Sequence, residues 1–217
     1  MIYFFDSYET LNTDEAKDLL PAERYEKFNR LKHKRDKENC LAAYLLLKYA
    51  LEQENIDSFT IKTGENGKPY LDECNYHFNI SHCKYGVAVA VSPCPIGIDV
   101  QEITEYHPSI AKRVFSEEEV AFMNNDSREF TRLWTLKEAA AKYDGRGISA
   151  LKDFTFENCG THFTKYGSYF STFERKNLFV SVCGSEDFSD IIDIKIWRYN
   201  NENLVSGRQH NRCRTQP

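Results

Sequence analysis

The sequence predicts an α+β protein built in two comparable halves. Three observations carry that reading: two long helix-period apolar stripes, at residues 39–51 and 127–144; a cluster of strand-like segments after each stripe; and a Pro-punctuated stretch at 92–95 between the halves.

Taken in order, residues 2–5 (Ile-Tyr-Phe-Phe) read as a short strand. Pro21 suits the first turn of a helix over 22–31, since its fixed φ and missing N–H cost nothing there. In the next helix, 39–51, Leu41, Tyr44, Leu45 and Lys48 follow one stripe that Leu46 and Leu47 widen, as expected of a helix crossing the core. Residues 59–63 read as a strand closed by the turn-rich Gly64-Glu65-Asn66-Gly67-Lys68-Pro69. Strands follow at 76–81, 86–91 and 96–102, with Pro93 and Pro95 marking a connection between the last two. Ser116 with Glu119, and Asp126 with Glu129, each have the spacing of a capping box. The helix after Asp126 takes its apolar side from Phe130, Leu133, Trp134, Ala140 and Ala141 and stops at Asp144-Gly145-Arg146-Gly147. Further strands are predicted at 154–156, 168–173, 178–183 and 191–199. The boundaries are thus 1–95 for the N-terminal half, 96–200 for the C-terminal half, and 201–217 for a polar, flexible tail.

Composition narrows the function. With 217 residues, 41% hydrophobic and 14% aromatic, the chain can bury a real core. A net charge of −5 disfavours general binding to nucleic acid. Seven cysteines, an odd number without a Cys-x-x-Cys, point to free thiols in a reducing cytoplasm. No apolar run approaches a membrane span, and the first residues lack the basic flank and apolar length of a signal peptide.

Candidate chemistry gathers at four places. On the strand 96–102, Ile96, Ile98 and Val100 face one way while Gly97, Asp99 and Gln101 face the other; Gly97 leaves room beside the acid for a ligand or backbone to approach. A magnesium ion needs only one or two such carboxylates when phosphates supply the remaining oxygens, although a solvated polar face is an equal reading of this strand alone. Glu138 and Lys142 stand one helical turn apart; alone they are an ordinary surface pair, but a buried Trp134 on the same stripe would draw them inward. The run Arg24, Lys27, Arg30, Lys32, Lys34, Arg35, Lys37 reads first as a solvated face and second as a phosphate grip, with Arg24, Lys27 and Lys34 near one side if the helix is continuous. Ser81 and His82 end a strand and could donate to phosphate oxygens, and Lys68 adds a cation on a turn. A zinc site from Cys74, His77, His82 and Cys83 is disfavoured, because strand alternation splits those residues between faces.

The segments Asn79-Ile80-Ser81-His82, Gly97-Ile98-Asp99-Val100-Gln101 and the run from Phe130 through Trp134-Thr135-Leu136-Lys137-Glu138-Ala139-Ala140-Ala141-Lys142, with Gly67-Lys68-Pro69-Tyr70 upstream, resemble the signature motifs of Sfp-type 4′-phosphopantetheinyl transferases in order and spacing. The resemblance spans roughly residues 20–200. It implies a monomer of two similar α+β halves related by a pseudo-twofold axis, with coenzyme A in the cleft between them. It implies transfer of the 4′-phosphopantetheine arm to a serine of an apo acyl or peptidyl carrier protein (holo-[acyl-carrier-protein] synthase activity), releasing adenosine 3′,5′-bisphosphate, with Mg2+ or Mn2+ required. By motif position, Asp99, Gln101 and Glu138 are the expected metal ligands. Arg24, Lys27, Lys68, Ser81, His82 and Asp99 are the expected coenzyme A contacts, and Glu138 and Lys142 the catalytic pair. The chain departs from the family at Gln101, where a second acid is usual; a Gln carbonyl can ligate directly or through water with one negative charge fewer. Whether Glu138 is base as well as ligand stays open. The alternatives are a non-catalytic coenzyme A- or carrier-binding module and, less favoured, a nucleic-acid binder using residues 24–37.

Overall fold

A computed structural model describes residues 1–64, 66–187 and 194–197. The first half runs β1 (Ile2–Phe5), α1 (Ala16–Leu19), α2 (Ala22–Arg30), α3 (Lys34–Gln53), β2 (Thr60–Thr63), β3 (Pro69–Asp72), β4 (His77–Cys83) and β5 (Gly86–Ser92). The second runs β6 (Ile96–Glu102), α4 (Pro108–Val114), α5 (Glu117–Met123), α6 (Ser127–Asp144), a 3-10 segment Gly147–Asp153, then β7 (His162–Lys165), β8 (Ser168–Arg175), β9 (Leu178–Gly184) and β10 (Ile194–Ile196). The mixed α+β architecture is as the sequence predicts.

Among the described residues three sheets form: four strands in the order β10-β1-β5-β4, the hairpin β2-β3, and four strands in the order β6-β9-β8-β7. All pairings are antiparallel except β1 with β10. Strand alternation sorts side chains into layers. Tyr3, Phe5, Val87, Val89 and Val91 pack against Leu41, Leu45 and Leu46 of α3. Their alternates Ile2, Phe4, Ala88 and Ala90 pack against Ile96, Ile98, Val100, Val180 and Val182 of the other sheet. On the far side, Leu133, Leu136 and Ala140 of α6 pack on Phe170 and Cys183. The layers are therefore helix, sheet, sheet, helix, with one long helix on the outside of each sheet. A buried hydroxyl chain adds a polar tie, as Thr135 meets Ser181 at 2.7 Å and Ser181 donates to Thr172 at 3.0 Å.

The two sheets also meet along a seam. β4 and β6 are the edge strands of their sheets and form no ladder with each other. Side chains bridge them instead: Asn79 Oδ1 accepts from the Ile98 amide at 2.9 Å. An otherwise orphaned edge N–H is thereby satisfied.

Several local expectations change. The helix expected over 39–51 starts at Lys34, because its first turn is charged and shows no apolar period. The segment 154–156 is not a strand; Phe154 and Phe156 pack in aromatic contacts while the Phe156 amide donates to Glu119. Strands β3 and β7 and helix α4 add to the sequence reading. Ser116 and Glu119 form the complete capping box. Asp126 caps α6, but the Glu129 carboxylate turns to Arg132 instead of completing a box. Of the strand expected at 191–199, Ile194–Ile196 is observed, and it joins the first half's sheet, across the 95/96 boundary; Trp197 follows outside the strand, and 191–193, 198–199 and the polar tail 201–217 lie outside the described residues. Among the described residues no helix is long and apolar enough to cross a membrane.

Candidate functional site

The site begins with a missing side chain. A Cβ on Gly97 would lie 2.2 Å from the Ala139 carbonyl oxygen and 2.5 Å from the Tyr143 amide nitrogen, so only glycine lets α6 lie this close to β6. Asp99 points to the same face of β6, and is buried there opposite the last turns of α6. Its Oδ1 accepts from Lys142 Nζ at 2.6 Å and from Ser81 Oγ at 2.7 Å, and Lys142 Nζ also donates to Ser81 Oγ at 2.9 Å. One residue each from β4, β6 and α6 thus closes a triangle across the seam.

Glu138, one turn before Lys142, is half-buried. Its carboxyl is held above the ordinary carboxylate range, first by burial and then by the nearby Asp99 charge, with Lys142 opposing both. The Asp99 charge thus opposes ionisation of the Glu138 carboxyl, and a divalent cation between the two would offset that cost. Among the described residues no group of three or more His, Cys, Asp or Glu gathers as a ready cage. The residues present therefore fit a hard cation that takes two carboxylates here and its remaining oxygens from ligand phosphate. Gln101 follows Asp99 on the same face and is half-buried, within the same strand end.

The opposite face of β4 looks into a cavity of about 870 Å³ walled by α2, α3 and the β2–β3 hairpin. Arg24, Lys27, Asn39, Tyr44, Thr60 and His82 are among its lining residues. The Arg24 guanidinium sits 5.4 Å from the Tyr44 ring centroid, and burial lowers its pKa, so an anion there would meet a poorly hydrated cation. Asn39 is buried; its Oδ1 accepts from Tyr8 Oη at 2.6 Å, which turns its amide nitrogen toward His82 Nδ1, 3.4 Å away. The His82 pKa is lowered, first by burial and then by Lys142, which keeps the ring neutral. Ser81 and His82, adjacent in sequence, therefore serve the acidic triangle and the cavity respectively.

Not every cation named from the sequence turns to the cavity. The helix is interrupted between α2 and α3, which ends any common side for Arg24, Lys27 and Lys34. Lys34 and Arg35 pair with Glu38 at 3.7 and 3.0 Å, and Lys37 lies over the Phe28 ring. Lys68 is half-buried, but its Nζ donates to the carbonyls of Lys142 and Tyr143 at 2.6 and 3.2 Å instead of facing the cavity. Trp134 is only half-buried. The burial of Asp99 against α6 follows from the Gly97 contact, and the deepest charge on the helix is Lys137, 1% exposed. Lys137 Nζ pairs with the fully buried Glu119 at 2.8 Å and also donates to the Leu151 and Phe154 carbonyls. Glu119 in turn accepts from the Ser116 and Phe156 amides, so this pair pins α5, α6 and the following loop together. Asn39 carried no sequence signal, since it acts on a strand distant in the chain, and Asn79 was named only as part of the Asn79-Ile80-Ser81-His82 motif, without a role.

Comparison with known proteins gives a consistent result. A family model described as the 4′-phosphopantetheinyl transferase superfamily matches residues 95–190. The chain is similar to the 4′-phosphopantetheinyl transferase ffp of Bacillus subtilis, 31% identical over 150 residues that cover 65% of this chain and 67% of that protein. It is 40% identical to the 4′-phosphopantetheinyl transferase psf-1 of Bacillus pumilus over 114 residues, covering 49% of this chain and 48% of that protein. With the 4′-phosphopantetheinyl transferase Sfp of Bacillus subtilis strain 168 it shares 35% identity over 140 residues, 60% of this chain and 62% of that protein. The chain thus spans between about half and two thirds of the length of these curated relatives.

Proposed function

This chain belongs to the 4′-phosphopantetheinyl transferase superfamily, and from that premise we propose that it moves the 4′-phosphopantetheine arm of coenzyme A onto a serine of an apo acyl or peptidyl carrier protein. The observation that carries the reading is the meeting of Asp99, Glu138, Lys142 and Ser81 at the seam, one strand away from a cavity lined by Arg24, Lys27 and His82. β4 is an edge strand, so one ligand can lie over it, its adenosine end in the cavity and its diphosphate by the triangle.

Arg24 and Lys27 would hold the 3′-phosphate, with the neutral His82 ring donating to a phosphate oxygen. Lys142 and the Ser81 hydroxyl would donate to the diphosphate. Asp99 and Glu138, with Gln101 beside them, would hold a magnesium ion that, when bound, would offset charge on the attacked phosphate and the departing group. The carrier's serine oxygen attacks the β-phosphorus, the bond from that phosphorus to the bridging oxygen breaks, and adenosine 3′,5′-bisphosphate leaves with the electron pair. The serine proton passes to the Glu138 carboxylate, directly or through water. Both carboxylates and the cavity belong to a single chain, so a monomer suffices. The six described cysteines are unpaired, in keeping with a reducing, cytoplasmic setting.

Intact-mass analysis of a panel of apo carriers incubated with the protein, coenzyme A and magnesium tests the proposal. A gain of one phosphopantetheine on a carrier is expected. Coenzyme A binding with no mass gain on any carrier, with and without magnesium, would overturn it in favour of a binding module.

A further inference from the structure

Lys142 is gripped at both ends. Its ammonium meets Asp99 and Ser81, while its backbone carbonyl, one of the last-turn carbonyls of α6 that lack an intrahelical partner, accepts from Lys68 Nζ at 2.6 Å. Lys68 also takes the next carbonyl, Tyr143, at 3.2 Å. The helix stop itself is made by Gly145, whose left-handed backbone (φ 87°) turns its amide to the Ala141 carbonyl. Lys68 therefore supplies what the glycine cap leaves unfilled, and its positive charge sits at the favourable end of the helix dipole. The residues on either side of Lys68 in the hairpin loop, Gly67 and Pro69, line the large cavity. One short loop thus touches the cavity through two residues and the end of the catalytic helix through the one between them.

We propose that Lys68 is a positioning residue for Lys142: it sets the height of the last turn of α6 against β6, and does not itself grip coenzyme A. This deepens the transferase reading and rests on it. The geometry favours it over a phosphate contact, because the Lys68 ammonium already holds two carbonyls, and the residues lining the large cavity include its neighbours Gly67 and Pro69 but not Lys68.

The test compares Lys68→Met and Lys68→Arg with the parent, using coenzyme A and dephospho-coenzyme A as donors. For Lys68→Met, kcat is expected to fall about tenfold or more, with the two donors losing equally and KM moving less than about threefold, as displacement of a reacting group predicts. Lys68→Arg, which can still donate to both carbonyls, is expected to recover most of that loss. A KM increase confined to coenzyme A would make Lys68 a 3′-phosphate ligand and overturn the proposal, as would an unchanged kcat. Amide hydrogen exchange of the ligand-free proteins gives a second readout. In Lys68→Met the peptide covering 141–147 should exchange faster while α3 stays protected; unchanged exchange there overturns the proposal whatever the kinetics. If Lys68→Met does not fold, Lys68→Gln takes its place. If the parent labels no carrier, the transferase reading fails, and exchange still decides whether Lys68 holds the helix end.

Discussion

Replacing Gly97 by alanine should damage stability and catalysis together. The added carbon would sit 2.2 Å from the Ala139 carbonyl oxygen, 2.5 Å from the Tyr143 nitrogen and 3.0 Å from the Tyr143 Cα, all backbone atoms of α6. No rotamer change relieves such contacts, so the helix must retreat by roughly 1 Å for ordinary packing distances to return. Overpacking of this kind costs about 1–3 kcal/mol, and at 2–4 °C per kcal/mol for a chain of this size the melting temperature should drop by roughly 2–12 °C. The same retreat draws Glu138 and Lys142 away from Asp99, and a displacement near 1 Å can lower the transfer rate by about 100-fold. Thermal melting followed by single-turnover labelling of an apo carrier reads both effects. A variant that melts within a degree of the parent and labels at the parental rate would refute the idea that this contact sets the site.

Glu138→Gln should lower carrier labelling by about 100-fold or more, the usual range for loss of a general base, while circular dichroism stays parental; labelling within threefold of the parent would remove Glu138 from the chemistry. Lys27→Ala should raise KM for coenzyme A more than for dephospho-coenzyme A, and equal effects would take Lys27 out of the 3′-phosphate site. Lys137→Met leaves the buried Glu119 carboxylate without its counter-charge, which should cost about 3–5 kcal/mol in urea unfolding; a loss below about 1 kcal/mol would contradict the hub assigned to this pair. His82 titrates below its ordinary 6.5 in the folded chain, so its contribution to stability is intact above pH 6.5 and is lost as the pH falls through the lowered value. His82→Gln should therefore shrink the drop in urea midpoint between about pH 7.5 and 5.5, and an unchanged drop would count against a neutral ring at this position.

What could be read from the sequence follows from where each signal resides. The strand Ile96–Glu102 appears at its expected ends because apolar alternation, a glycine and flanking prolines all lie within a few residues. The stop of α6 at Gly145 is equally local. The start of α3 at Lys34 was hidden because its first turn is fixed by charge pairs, Lys34 and Arg35 with Glu38, and not by an apolar stripe. At the site, Asp99, Glu138 and Lys142 could be named individually, yet what joins them is the Gly97–α6 backbone contact, a relation between distant segments. The same holds for Lys68: a lysine in a turn looks solvated until the fold brings a helix end to it. Lys137 and Glu119 show it most clearly: the sequence offers Glu119 as a helix cap and Lys137 only as part of a motif run, yet together they form the most deeply buried ion pair described.

The parallel pairing of Ile194–Ile196 with β1, and the Trp197 amide donating to the Phe4 carbonyl at 2.9 Å, join the two extremes of the described chain. During synthesis, β1 leaves the ribosome almost two hundred residues before the strand that covers its open edge. Until then the nascent chain carries an uncovered, strongly apolar Ile2–Phe5 edge next to a cluster that still lacks Trp197. Truncation or stalled translation anywhere before residue 194 would leave that edge free to recruit another polypeptide. Chains shortened at the C-terminus should accordingly go wrong first by aggregation, at a place far from the deletion in sequence.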